Sequence, residues 1–74
     1  MYAFKLKEVV RKKAEEKEIK MYDSHEDLLD EIEKGIKAGE INDMESLRSA
    51  LKKHEDFRLK FGLQDYEDIA EELR

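Results

Sequence analysis

The chain has 74 residues, of which 47% are charged and 39% hydrophobic, and its formal net charge is −5. It contains no cysteine, which excludes disulfides and thiolate metal sites, and no proline, which favours uninterrupted helices. No apolar run approaches the ~20 residues of a membrane span, and the N-terminus lacks the apolar stretch of a signal peptide. We therefore expect a cytoplasmic protein that does not associate with a membrane.

The regular spacing of apolar residues predicts an all-α fold, a small bundle of three to four helices in a single domain over residues 1–74. The predicted helices cover about residues 2–20, 24–38, 43–61 and 65–73. A chain this short must bury most of its apolar residues or share a core with a partner, so a homodimer is one arrangement we consider. Abundant Lys and Glu with only one Asn and one Gln is typical of a thermophile.

The first predicted helix, residues 2–20, loses its apolar stripe halfway along. One side carries Tyr2, Ala3, Leu6, Val9, Val10 and Ala14. Lys13, Lys17 and Lys20 then occupy the positions where that side continues, so the second half of the helix offers the core almost nothing. Residues 19–22 fit either the last helical turn or a short extended piece, and we favour a helix end followed by a connection.

The second and last predicted helices carry recognisable end signals. Asp23 or Ser24 can start the helix over residues 24–38, because each has an acidic residue three positions later, as in a capping box. Gly39 is placed to end that helix in the left-handed conformation. Asp65 can cap the last helix, residues 65–73.

The helix predicted over residues 43–61 is expected to organise the fold. Asn42 would cap its start together with Glu45, and Gly62 would take the left-handed position after its end. At 100° per residue, one arc of this helix collects more large apolar side chains than any other segment, so the other helices should pack against it. The arc contains Met44, Leu47, Ala50, Leu51, Phe57 and Phe61.

Several apolar residues lie outside these stripes and are candidates for a partner or dimer surface. Leu59 falls on the polar side of the third helix and should be exposed. An exposed group of large apolar side chains marks an interaction site in many soluble proteins. The candidate residues are Phe4, Ile19, Met21, Tyr22 and Leu59, with Met1 beside them.

Charge is distributed unevenly along the chain. Residues 1–20 carry seven Lys/Arg against four Glu, and the remainder carries eight against sixteen acids. The basic run could contact nucleic-acid phosphates, or it could simply be attracted to the acidic body. The acidic remainder could instead imitate a phosphate backbone and occupy a nucleic-acid-binding protein. The candidate phosphate contacts are Arg11, Lys12, Lys13, Lys17 and Lys20.

His25 and His54 both fall on apolar faces, where they could bind a metal or respond to pH, or be satisfied by local hydrogen bonds. No third ligand at a suitable spacing stands out, so we expect no metal site. The sequence also lacks a phosphate loop and a nucleophile motif, so we expect neither catalytic residues nor a cofactor. The expected function is a non-enzymatic module that binds a protein partner or regulates one. Nucleic-acid binding through the basic helix and acidic mimicry are the alternatives.

Overall fold

A computed structural model describes residues 3–74, and within that range the chain is all-helical with no strand. A 3₁₀ turn, Ala3–Lys5, leads into five α-helices, so the expectation of three to four helices was slightly low. The helices are α1 (Leu6–Glu16), α2 (Asp23–Lys37), α3 (Met44–Leu51), α4 (Glu55–Lys60) and α5 (Leu63–Glu72).

Four of the helices form a closed ring around the core. Helix α1 packs against α2 and α5, and α3 packs against the same two helices from the other side. Apolar side chains from each of the four meet inside the ring, as their spacing predicts. The short α4 adds one fully buried side chain, Phe57. The largest fully buried apolar side chains are Leu6, Leu29, Ile32, Leu47, Leu51, Phe57, Tyr66, Ile69 and Leu73.

Helix α1 ends at Glu16, so the prediction that it reaches residue 20 was wrong. Glu18 has a positive φ of 58°, and the amide of Ile19 donates to the carbonyl of Ala14 at 2.8 Å. This is the hydrogen bond of a Schellman motif, which ends a helix and turns an apolar residue back onto it. Ile19 is accordingly only 5% exposed and belongs to the core. Residue 2, the predicted start, lies outside the described residues.

Helix α2 ends as its sequence predicts. Gly39 has a φ of 80°, and the amide of Glu40 donates to the carbonyl of Gly35 at 2.9 Å, which forms a second Schellman motif. The chain then folds back over Gly35. A Cβ added there would lie 2.7 Å from the Cδ1 atom of Ile41. A side chain from the following turn, Ile41, therefore packs closely on Gly35.

The single helix predicted over residues 43–61 is two helices, α3 and α4. The chain leaves the helical conformation at His54, whose ψ is 130°, and His54 accepts a hydrogen bond from the amide of Asp56. His54 therefore caps α4, a role that the sequence does not signal because Ser, Thr, Asp and Asn are the usual caps. At the start of α3 the cap is Asp43, which accepts from the amide of Ser46 at 2.8 Å, so the predicted Asn42–Glu45 pair was also wrong.

Gly62 begins a helix and does not end one. Its φ is −95° and its ψ is 176°, an extended conformation, so the predicted left-handed position after residue 61 is absent. Asp65 lies in the first turn of α5 and accepts a hydrogen bond from the amide of Gly62 at 2.8 Å. The cap of α5 is therefore Gly62 and the helix begins at Leu63, so the prediction that Asp65 caps this helix was wrong. Asp65 is the third residue of the helix, and its side chain satisfies the amide of the cap residue.

Candidate functional site

The cations of α1 lie against acids of the neighbouring helices. The pairs bridge α1 to α2 on one side and to α5 on the other, so they help to hold the ring together. The nearest contacts at the predicted nucleic-acid residues are Arg11–Glu26 (2.8 Å), Lys13–Asp68 (3.0 Å), Lys17–Asp65 (3.1 Å) and Lys12–Glu72 (3.9 Å). Lys20 lies 5.7 Å above the ring of Tyr22. The structure thus places these cations where the fold itself uses their charge.

Hydrogen bonding to the acids stabilises the charged forms of these side chains. The hydrogen bond to Asp68 raises the pKa of Lys13 above its usual value, and the hydrogen bond to Glu26 does the same for the pKa of Arg11. Hydrogen bonds from Gln64 and then from Lys13 lower the pKa of Asp68. Lys13 is also the least exposed cation of these pairs, with 17% of its side chain exposed.

The predicted apolar surface divides into exposed and buried members. Phe4, Tyr22 and Leu59 are exposed, which confirms the prediction for Leu59, whereas Ile19 lies in the core and Met21 packs half-buried against it. Sequence reasoning missed Leu63, which is 57% exposed. The error followed from the wrong role of Gly62. Leu63 is the first residue of α5, and it faces outward instead of packing back on a preceding helix.

A second group of cations lies around α4 and has no acidic partner. Within residues 3–74, no carboxylate lies within 4 Å of the side-chain nitrogens of Lys52, Lys53, Arg58 or Lys60, and all four residues are exposed. Leu59, 66% exposed, lies between two of them in sequence. We call the exposed residues of this short segment, Lys52, Lys53, Arg58, Leu59, Lys60 and Leu63, the α4 corner.

The two histidines meet at the joint between α2 and α4. Their rings are stacked with centroids 3.8 Å apart, and His25 is only 1% exposed. Asp56 is bonded to both, accepting from Nε2 of His25 at 2.8 Å and donating its amide to Nδ1 of His54 at 3.2 Å. The rings of His25 and Phe57 meet edge to face, with centroids 5.3 Å apart. The structure thus brings together two residues that lie 29 positions apart in the sequence.

The hydrogen bonds fix which ring nitrogen carries the proton. Nδ1 of His25 accepts from the amide of Tyr22 at 2.9 Å, and Nδ1 of His54 accepts from the amide of Asp56. Because an accepting nitrogen has no hydrogen, the neutral rings carry their protons on Nε2. Nε2 of His25 then donates to Asp56, and Nε2 of His54 donates to the hydroxyl of Ser24 at 3.1 Å.

This proton arrangement decides what the cluster can do. The ligand atoms of His25, His54 and Asp56 lie within 4.8 Å of one another, a spacing that a metal ion could use. Coordination through Nε2 would move each proton to Nδ1, where it would meet a backbone N–H, so the residues do not fit a metal. The same argument excludes a Ser24 nucleophile, since a base must accept from the hydroxyl and His54 donates to it.

Burial and the neighbouring His25 lower the pKa of His54 below its usual 6.5, against the opposing pull of Asp56 and Glu55. The neutral form of His54 is therefore the form that the fold favours. As a neutral ring it supplies the acceptor that caps α4, and it contacts α2 through both its stacked face and its bond to Ser24. His54 thus joins α2 to α4 as an uncharged ring.

Comparison of the chain with protein-family models, with curated proteins and with solved structures gives no match. Among the helices of residues 3–74, none is both long enough and apolar enough to cross a membrane.

Proposed function

We propose that the protein is a non-enzymatic interaction module whose α4 corner binds an acidic, partly apolar segment of a protein partner. The observation that carries the proposal is the combination of unpaired cations with exposed leucines on one short stretch. Leu59 and Leu63 are exposed in a chain that otherwise directs most of its large aliphatic side chains into the core. Exposed leucines beside cations are suited to a partner that offers apolar and acidic side chains together.

The charge pattern favours the α4 corner over α1 as the binding surface. Cations that already have acidic partners must give them up to bind a ligand, whereas those of the corner have none to give up. Charged side chains without internal partners steer a complementary surface at little structural cost. Only His54 separates Lys52 and Lys53 from α4, and α4 spans only Glu55–Lys60, about 9 Å, so these charges and Leu59 belong to one short segment of the chain.

A protein partner suits this surface better than a nucleic acid does. The whole chain carries a net charge of −5, which repels a long polyanion at a distance. A short acidic segment has far fewer charges, and its apolar residues can cover Leu59 and Leu63. The acidic-mimic alternative would use carboxylates away from the corner, so it predicts binding that is insensitive to changes there.

The test is selection of a phage-displayed random peptide library on the immobilised protein. We expect enriched peptides that combine Asp or Glu with spaced apolar residues. Their affinity should fall by at least about tenfold for Lys53→Glu/Arg58→Glu and for Leu59→Ser/Leu63→Ser. The matched control is Lys34→Glu/Lys37→Glu, which makes the same charge change at the far end of α2 and should leave affinity unchanged.

Three outcomes would contradict the proposal. Neutral or basic peptides could be enriched, or the control variant could weaken binding as much as the corner variants do. Salt-sensitive retention of duplex or single-stranded DNA that is lost with Lys53→Glu/Arg58→Glu would assign the corner to nucleic acid instead. Sedimentation of wild type and of Leu59→Asp tests whether the corner mediates self-association. If wild type dimerises and the variant does not, the corner binds a second copy of this chain.

A further inference from the structure

The histidine pair links the beginning of α2 to the beginning of α4 by a continuous path of hydrogen bonds. The path runs from the amide of Tyr22 to His25, from His25 to Asp56, from Asp56 to His54, and from His54 back to Ser24. It leaves α2 at residue 22 and returns at residue 24. Each N–H donor in the path has an acceptor, so the path satisfies one backbone amide at each of the two helix starts.

A proton has no vacant position in this path. Each ring already carries one proton on Nε2, and its other nitrogen accepts a backbone N–H. A second proton on either ring must displace that N–H and leave a helix amide without its acceptor. Stacking adds to the conflict, because a charge on one ring lies 3.8 Å from the other.

We propose that the stacked His25–His54 pair is a proton-operated latch that holds α4 against α2 and releases it when His54 takes up a proton. His54 is the entry point because it is partly exposed, whereas His25 is 1% exposed. Protonation removes the acceptor for the amide of Asp56, which uncaps α4 at its first turn.

The groups around His54 favour the outward movement of a charged ring. From α2, Ser24, Asp27 and Glu31 line the same surface depression as His54, and Lys53 lines it from the turn before α4. Two of these are carboxylates that an imidazolium can approach. On the inner side the ring faces His25 and Asp56, and Glu55 follows it in the chain. Asp56 is already engaged by His25, so it cannot hold both charged rings.

Release of α4 leaves few other contacts to hold it. Phe57 is buried and its carbonyl accepts from the hydroxyl of Tyr66 at 2.7 Å, which anchors the middle of the helix. The first turn depends on His54. Because Leu59 and Arg58 belong to the same helix, the latch would make the α4 corner responsive to pH. This last step rests on the proposed function, whereas the latch itself does not.

The first test reads the ring protons directly in the unchanged protein. Long-range ¹H–¹⁵N correlation spectra distinguish the Nδ1 and Nε2 nitrogens of each histidine, and we expect the neutral form of each ring to carry its proton on Nε2. Lowering the pH should charge His54. A proton on Nδ1 of either neutral ring, or a His54 ring that stays neutral at pH 5, would overturn the latch.

The second test measures amide exchange in α4 at pH 7 and pH 5, corrected for the intrinsic effect of pH. We expect the protection of Arg58 and Phe61 to fall by about fivefold to tenfold, while that of Ile69 in α5 stays unchanged. In His54→Asn, which keeps a capping side chain without a titrating one, the pH effect on α4 should disappear.

Equal loss of protection in α4 and α5 would overturn the latch, as would unchanged protection in α4 at pH 5. Neither result depends on a binding partner. Peptide selection that fails while α4 responds to pH as expected would remove the proposed function and leave the latch standing. Successful selection of acidic peptides without a response of α4 to pH would remove the latch and leave the proposed function standing.

Discussion

Helix α1 and the α4 corner carry the same kind of charge and use it differently. Arg11 and Lys13 of α1, and Lys17 directly after it, lie within about 3 Å of acids on α2 or α5, and the apolar stripe of the helix faces the core. In the corner, Arg58 and Lys60 have no acidic partner within the described residues, and Leu59 between them is exposed. A basic cluster in a sequence therefore says little about binding until its partners within the fold are known.

The acidic partners of the α1 cations explain why those cations are held within the fold while the cations of the α4 corner are not. Asp65 is 7% exposed and combines an amide from Gly62 with the ammonium group of Lys17. A carboxylate this buried needs such partners, since a buried unpaired charge is costly. The α1 cations are thus part of the folded structure, and the corner cations are available for binding.

The largest expected effect is a loss of stability when an acidic partner of the α1 cations is removed. Asp65→Ala removes the acceptor of the Gly62 amide and leaves Lys13 and Lys17 without their most buried partner. We expect the free energy of unfolding to fall by about 2–3 kcal/mol, because a charged hydrogen-bond partner is lost from a buried place. Urea unfolding measures it. Asp68→Ala, at a more exposed carboxylate, is the control and should cost less than about 1 kcal/mol. Equal losses would contradict the role of Asp65.

The next effect concerns the anchor of α4. Tyr66→Phe removes the hydroxyl that donates to the carbonyl of Phe57, and burial, the main cause of the raised pKa of Tyr66, shows how little water reaches it. We expect a loss of about 1–2 kcal/mol, since the carbonyl would stay buried without a donor. Thermal or urea unfolding would detect it. A variant as stable as wild type would mean that another group satisfies this carbonyl.

The stability contributions of His54, which caps α4, and of Asp68, which pairs with Lys13 of α1, are expected to be lost at different pH. The pKa of His54 is lower in the folded protein than its usual 6.5, so the folded state binds fewer protons. Its contribution is therefore fully present above about pH 6.5 and is lost as the pH falls through that value towards the folded pKa. Asp68 of α5, the partner of Lys13, also has a lowered pKa, and its contribution is lost at more acidic pH. Urea unfolding of wild type and His54→Asn should differ between pH 7 and pH 5, with the variant showing the flatter profile.

The smallest expected effect is at the end of α1. Glu18 has a φ of 58°, a left-handed conformation that is strained for a residue with a Cβ atom and unstrained for glycine. Glu18→Gly should raise the free energy of unfolding by about 0.5–1 kcal/mol, with the gain limited by the greater freedom of glycine in the unfolded chain. A loss of stability would show that the Glu18 side chain makes a contribution larger than this strain.

The sequence predicts the helical class, the end of α2 at Gly39 and the exposure of Leu59, because each depends on local spacing or on one conformational preference. It does not reveal that Glu18 takes the left-handed position after α1 or that His54 caps α4, since neither is a usual residue for its role. Nor can it assign Lys13 and Lys53 to different uses. That assignment depends on acids brought near by tertiary packing, and helical periodicity carries no information about which distant residues meet.

Urea unfolding of two charge-reversed variants tests the contrast between the α1 and corner cations most directly. Lys13→Glu/Lys17→Glu and Lys53→Glu/Arg58→Glu make the same change of charge. We predict that the first variant loses at least about 2 kcal/mol of stability, because acids would face acids around Asp65, while the second stays within about 0.5 kcal/mol of wild type. Equal losses in the two variants, or a larger loss in the corner variant, would contradict the account.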